Sequence, residues 1–176
     1  MAAIVALLAA LYFYGGRRLT GSTEHSTDAR KVADVQAMLV DLKINENTSL
    51  LFILLGADGS INRSGSGSLR NKNNDLFIGE ATPAIFERVR SQLTEEVLQN
   101  LGMSFRREIV RGAPCSVKLI VQFKDGTSKA SEYLYGTESV GPPTDVVGVV
   151  TAAVRETEEW YQQQLRMAQA ADEHRH

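Results

Sequence analysis

The chain has 176 residues, enough for one domain with a real core but hardly for two. Apolar residues make up 43% and charged residues 23%, and acids outnumber bases by only 21 to 19, so no overall field draws the molecule to nucleic acid or an anionic surface. The single cysteine, Cys115, excludes an internal disulfide and is compatible with a reducing compartment.

Residues Ala2 to Tyr14 carry no charge or strong polar group, and Gly15-Gly16-Arg17-Arg18 follows. At about 1.5 Å per residue, such a helix falls short of a hydrocarbon core roughly 30 Å thick. A cleaved signal peptide wants a basic start and small residues at its end, whereas this run begins Met-Ala-Ala and ends Tyr-Phe-Tyr. A core helix without a polar face would have to be covered all round. A single-pass membrane anchor fits best, with Tyr12, Phe13, Tyr14 and the two arginines at one interface and local thinning covering the shortfall. The arginines then put the soluble part on the cytoplasmic side. The alternative is a secreted or periplasmic protein with an atypical signal peptide.

Leu19 to Thr27 is polar and reads as a linker. Asp28 to Leu42 reads as a helix, because Val32, Val35, Leu39 and Leu42 recur at helical spacing behind possible caps at Ser26, Thr27 or Asp28. After the turn Asn45-Glu46-Asn47, the run Leu50 to Leu55 is short enough for a strand buried on both faces. Asp58-Gly59 predicts a two-residue hairpin turn in which both residues take positive φ. In the return arm Ser60, Asn62 and Ser64 face one way, Ile61 and Arg63 the other. Gly65-Ser66-Gly67-Ser68 reads as a mobile loop, and Asp75 to Glu80 as another strand.

Thr82-Pro83 is a helix start, and Thr94-Glu95-Glu96 a second one, so two helices should meet near Leu93 and end at Gly102. Phe105 to Val110 reads as a strand. Cys115 to Lys124 alternates, with Val117, Leu119, Val121 and Phe123 on one face, and Asp125-Gly126 turns it into a return strand over Thr127 to Tyr135. Thr144 or Asp145 should cap a last helix with a buried stripe of Val147, Val150, Val154, Tyr161 and Leu165. The division expected is an anchor over 1–18, a linker over 19–28, one domain over 29–167 and a frayed tail over 168–176. Hairpin-grouped strands with helices between them predict an α+β fold, a mostly antiparallel sheet of about five or six strands with helices packed on one face.

No complete reactive constellation is present. Asp58, Ser60, Asn62 and Ser64 alternate like the first ligands of a calcium loop, but Arg63 stands where that loop needs glycine and Leu69 where it needs glutamate. Gly65-Ser66-Gly67 lacks the spacing of a phosphate-cradling motif. Cys115 has no histidine partner in a predicted core element, since His25, His174 and His176 lie in the linker and tail. Asp58, Asp75 and Glu80 sit at strand ends and are candidates for paired-carboxylate chemistry. Arg63, Arg70 and Lys72 form the one local basic cluster. Trp160 and Tyr161, beside Glu156, Glu158 and Glu159 on the last helix, are candidate partner contacts.

The reading is a membrane-tethered binding or assembly module without catalytic activity. It should need no cofactor or metal, its partner being another protein or a second copy rather than nucleic acid. The candidate ligand or partner contacts are Asp58, Asn62, Arg63, Arg70, Lys72, Trp160 and Tyr161. The runner-up is a hydrolase-like enzyme using the carboxylates of the 58–80 hairpin. A third class is an anion sensor whose Gly65–Ser68 loop closes over a ligand held by Arg63, Arg70 or Lys72.

Overall fold

Two apolar runs, Val35–Ile44 (β1) and Thr48–Gly56 (β2), pair antiparallel at the centre of a sheet. The computed structural model describes residues 31–45, 48–68, 75–102, 115–135 and 143–174. The apolar N-terminal helix, the strand over 105–110, Arg70 and Lys72 all lie outside those residues.

The helix expected over Asp28 to Leu42 is corrected. Only Val32–Asp34 makes a single 3-10 turn, and the rest is β1. Val35, Ala37, Met38, Leu39 and Val40 are all buried, which requires cover on both sides of the backbone. A strand flanked by β2 and the later Cys115–Phe123 (β5) supplies it, and tertiary pairing overrides the helical spacing.

Ser60–Ser64 (β3), Leu76–Glu80 (β4), β5 and Ser128–Tyr135 (β6) complete six antiparallel strands in the order β4-β3-β2-β1-β5-β6. Alternation gives the sheet two faces. On one lie Met38, Val40, Ile53, Leu55, Ile61, Val117, Leu119, Val121 and Phe123, which pack with the helices into one core. Ala37, Leu39 and Leu54 are buried on the other.

Pro83–Arg90 (α1), Glu95–Asn100 (α2) and Thr144–Glu173 (α3) pack apolar residues into that core, Val146, Val149 and Ala153 from α3. Thr82 caps α1 by accepting from the Ala84 amide at 3.1 Å, and Thr94 caps α2 by accepting from the Val97 amide at 3.1 Å. The cap position of α3 is Pro143, without a side-chain hydrogen bond, so Thr144 and Asp145 begin the helix rather than cap it. Its buried stripe is Val146, Val149, Ala152, Ala153, Thr157 and Tyr161, turned from the expected phase so that Val147 is exposed. Helix also continues past Ala168 to Glu173, because alanine, glutamine, methionine and glutamate sustain it without an apolar stripe.

Both Asp-Gly turns differ from the expected two-residue form. In Gly56-Ala57-Asp58-Gly59 only Gly59 takes positive φ, at 90°, and its amide donates to the Gly56 carbonyl at 3.0 Å. The connection is a type I turn closed by a left-handed glycine, and Phe123 to Gly126 repeats it with Gly126 at 81°. Asp58 Oδ1 accepts from the Ser60 amide at 3.0 Å and hydroxyl at 2.7 Å, and Asp125 Oδ1 does the same for Thr127 at 2.9 and 2.6 Å. A Cβ on Gly59 would lie 2.6 Å from the Ala81 carbonyl oxygen as well as in the wrong φ region. Gly59→Ala is therefore expected to cost about 2 kcal/mol or more in urea unfolding. An unchanged midpoint would contradict this account of the turn.

Candidate functional site

Among the described residues Arg63 is the largest fully buried side chain, on the core face of β3. Its Nη1 donates to Thr157 Oγ1 at 2.8 Å and to the Val154 carbonyl at 3.1 Å, and Nη2 pairs with Glu158 Oε2 at 2.5 Å. Its Cζ stands 4.5 Å from the centre of the Tyr161 ring. Thr157 passes the contact on, its hydroxyl donating to the Ala153 carbonyl at 2.8 Å. Tyr161 meets Phe77 of β4 edge-on, with ring centres 5.8 Å apart. One cation thus binds β3 to four successive sites on α3.

The electrostatics fit an internal lock. Burial works to raise the Glu158 carboxyl, but hydrogen bonds from Gln162 and Arg63 and the Arg63 charge outweigh it and hold Glu158 below its ordinary value of 4.5. Burial pushes the Tyr161 phenol up; the Arg63 charge and the nearby Gly65 amide offset it only in part. The Tyr161 hydroxyl nevertheless makes no hydrogen bond of full geometry, and Arg63 Nε has no partner either.

The remaining expected positions separate. Asn62 lies on the opposite face of β3, buried, with its Nδ2 unpaired. Asp58 serves its turn, and the hydroxyl and amide of Ser60 hold it below the usual carboxylate range, so it stays ionised. Glu80 pairs with Ser60 at the same end of the sheet, whereas Asp75 precedes β4 at the other, roughly 16 Å along the strand. The three carboxylates do not converge. A shallow hollow beside the turn is walled by Leu55, Ile61, Ile85 and Phe86, with Ser60 and Thr82 as its polar groups. Both hydroxyls are engaged, on Asp58 and the Ala84 amide. Burial pushes the Cys115 thiol up, away from a reactive thiolate. The Gly65–Ser68 loop is anchored rather than free, since Gly65 is buried and the Gly67 amide donates to the Leu50 carbonyl at 2.9 Å.

Trp160 is half-buried, and its ring lies over Gly79 of β4, 3.1 Å from where a Cβ would stand. It is thus packed between helix and strand, and truncating it would disturb the fold before it reported on a partner. The surface signal lies under it. Leu76 and Ile78 of β4 are 50% and 62% exposed, side by side on the face away from the core, and β4 is an edge strand among the described residues. Alternation in Asp75 to Glu80 marks a strand but does not reveal which strand is left at the edge. Among the described residues no group of acids, cysteine and histidine is placed to hold a metal, and no helix is long and apolar enough to cross a membrane.

No protein-family model, curated protein or solved structure matches this chain.

Removing the cation while leaving its buried site should cost about 3 kcal/mol or more for Arg63→Ala by denaturant unfolding, with Arg63→Met milder because it refills the volume. A loss of a few tenths would contradict the lock. The depressed Glu158 carboxyl contributes stability that is present above its ordinary value of 4.5 and is lost as pH falls through its lower folded value. Glu158→Gln should therefore flatten the acid limb of the stability profile below pH 4.5, and an unaltered limb would show that the pair contributes nothing.

Proposed function

We propose that this protein is a membrane-tethered assembly module that binds another protein through the outer side of β4. The observation that carries the reading is the pairing of Leu76 and Ile78, two large apolar side chains 50% and 62% exposed on a strand that is at the sheet edge among the described residues. Soluble domains blunt such edges with lysine, proline or a bulge. β4 has none of these, and its register with β3 runs unbroken from Ser64–Leu76 to Ser60–Glu80. Adjacent exposed aliphatics on an edge strand support a surface used for contact. The tether of this reading is the uncharged run Ala2 to Tyr14, and the Arg17-Arg18 pair behind it supports a cytoplasmic side for the module.

Fractionation of host membranes tests both halves. The full chain should pellet with membranes and leave them only in detergent, while the chain lacking residues 1–20 should stay in the supernatant. Ile78→Lys should fold with an unchanged unfolding midpoint, since the side chain is already exposed, yet shift the detergent-solubilised protein to a smaller complex on native gels. Equal complex size for wild type and Ile78→Lys would remove the assembly role. Full chain in the soluble fraction would remove the tether.

A further inference from the structure

We infer that β4 takes up an extended segment of a partner protein as a seventh strand, lodged beneath the end of α3. The inference rests on the assembly-module reading and names the mode of contact and the chemistry of the partner.

The first observation is the direction of the backbone groups. The Ala81 amide donates to the Gly59 carbonyl at 2.8 Å, so Ala81 points toward β3. Backbone direction alternates along an antiparallel strand, so Phe77 and Gly79 also point toward β3. Leu76, Ile78 and Glu80 then direct their N–H and C=O groups out of the sheet, and β4 has β3 as its sole neighbour among the described strands. On the opposite edge strand, β6, Glu132, Tyr133 and Leu134 take part in further interactions.

The second observation is that the helix outruns the sheet. α3 has 30 residues, about 45 Å of helix, while six strands at roughly 4.8 Å spacing make a sheet about 24 Å wide. Even a crossing at about 45° uses only about 34 Å. The contacts fix which end overhangs. α3 begins beside α2, where Thr94 meets Asp145, and α2 ends against Ser131 of β6. It passes Arg63 of β3 at Val154 to Glu158 and β4 at Trp160 and Tyr161. Gln162 to Glu173 therefore projects past the β4 edge, roughly 18 Å of helix. The side that continues the buried stripe beyond Tyr161 presents Gln164, Leu165 and Ala168, all half-buried and uncharged. Uncharged side chains of α3 thus continue past β4, on the side where one more strand would lie.

The chemistry of the occupant follows position by position. Residues paired with Phe77 and Gly79 would point up toward Leu165 and Trp160 and must be apolar. Those paired with Leu76 and Ile78 would extend the outer aliphatic pair, and β-branched side chains fit there. The residue opposite the exposed Glu80 should be a cation. An antiparallel occupant thus reads basic, apolar, β-branched, apolar, β-branched. This is strand addition, in which main-chain hydrogen bonds supply affinity and alternate side chains supply selectivity.

The test uses the full chain in detergent and residue-resolved amide exchange. Alone, the amides of Phe77 and Gly79 should be protected by β3 while those of Ile78 and Glu80 exchange freely. The blocked hexapeptide Lys-Val-Ile-Val-Ile-Lys at millimolar concentration should slow Ile78 and Glu80 by about tenfold or more. N-methylating its isoleucines, whose N–H groups face β4, should abolish the effect, and N-methylating its valines should not. No slowing, or equal behaviour of the two methylated peptides, overturns strand addition. So does protection of Ile78 and Glu80 in the full chain alone that vanishes on deleting residues 1–20, because the occupant would then be this chain's own N-terminus. Each of these failures leaves the assembly reading to the complex size of Ile78→Lys. Loss of the complex there, with no peptide protection, would keep the module and discard the added strand.

Discussion

A buried guanidinium is the constraint on which the rest of this structure depends. Arg63 reaches from β3 into α3 and finds a carbonyl, a hydroxyl, a carboxylate and an aromatic face within about two turns of helix. A cation without those partners in an apolar core would cost several kcal/mol, so the helix is fixed in both register and direction. An apolar residue at position 63 would hold α3 against the sheet without specifying where along the helix the contact falls. The arginine turns general burial into one crossing.

That crossing determines what faces outward. Because Val154 to Glu158 sit over β3, Trp160 falls on Gly79 and Tyr161 on Phe77, and the next turns run out over the sheet edge. Gly79 is part of the same arrangement, since a Cβ there would push on the indole. The inner side of β4 is given to the lock, and its outer side carries Leu76 and Ile78 into solvent. Fold and proposed contact surface thus share one origin. The three carboxylates considered for hydrolase chemistry are dispersed: Asp58 is committed to its turn, and Asp75 and Glu80 are at opposite ends of β4.

The sequence made the strands and hairpins legible wherever local pattern and tertiary placement agree. Cys115 to Phe123 alternates because one face of β5 is core, and Thr82 and Thr94 cap helices where their spacing says they should. β1 was misread because Val32, Val35, Leu39 and Leu42 fit a helical period, while Ala37, Met38 and Val40 between them carried the better signal of a strand covered on both sides. The phase of α3 was shifted because its buried side includes two alanines and Thr157, which hydropathy alone does not mark. Arg63 illustrates the same limit. Its parity on β3 placed it with Ile61, but its charge grouped it with Arg70 and Lys72 as a basic cluster that could hold a ligand. Partners 91 to 95 residues away decide the matter, and no local window contains them. Which strand is left at the edge is likewise a property of sheet order, which alternation does not encode.

The position of α3 over β4 is the claim on which both the lock and the overhang stand, and nuclear Overhauser contacts measure it directly. In the full chain, the Trp160 indole protons should show strong cross-peaks to the Gly79 α-protons, with those α-protons shifted by the indole ring current. A Trp160 ring with cross-peaks only within α3, and Gly79 at ordinary strand shifts, would contradict the account.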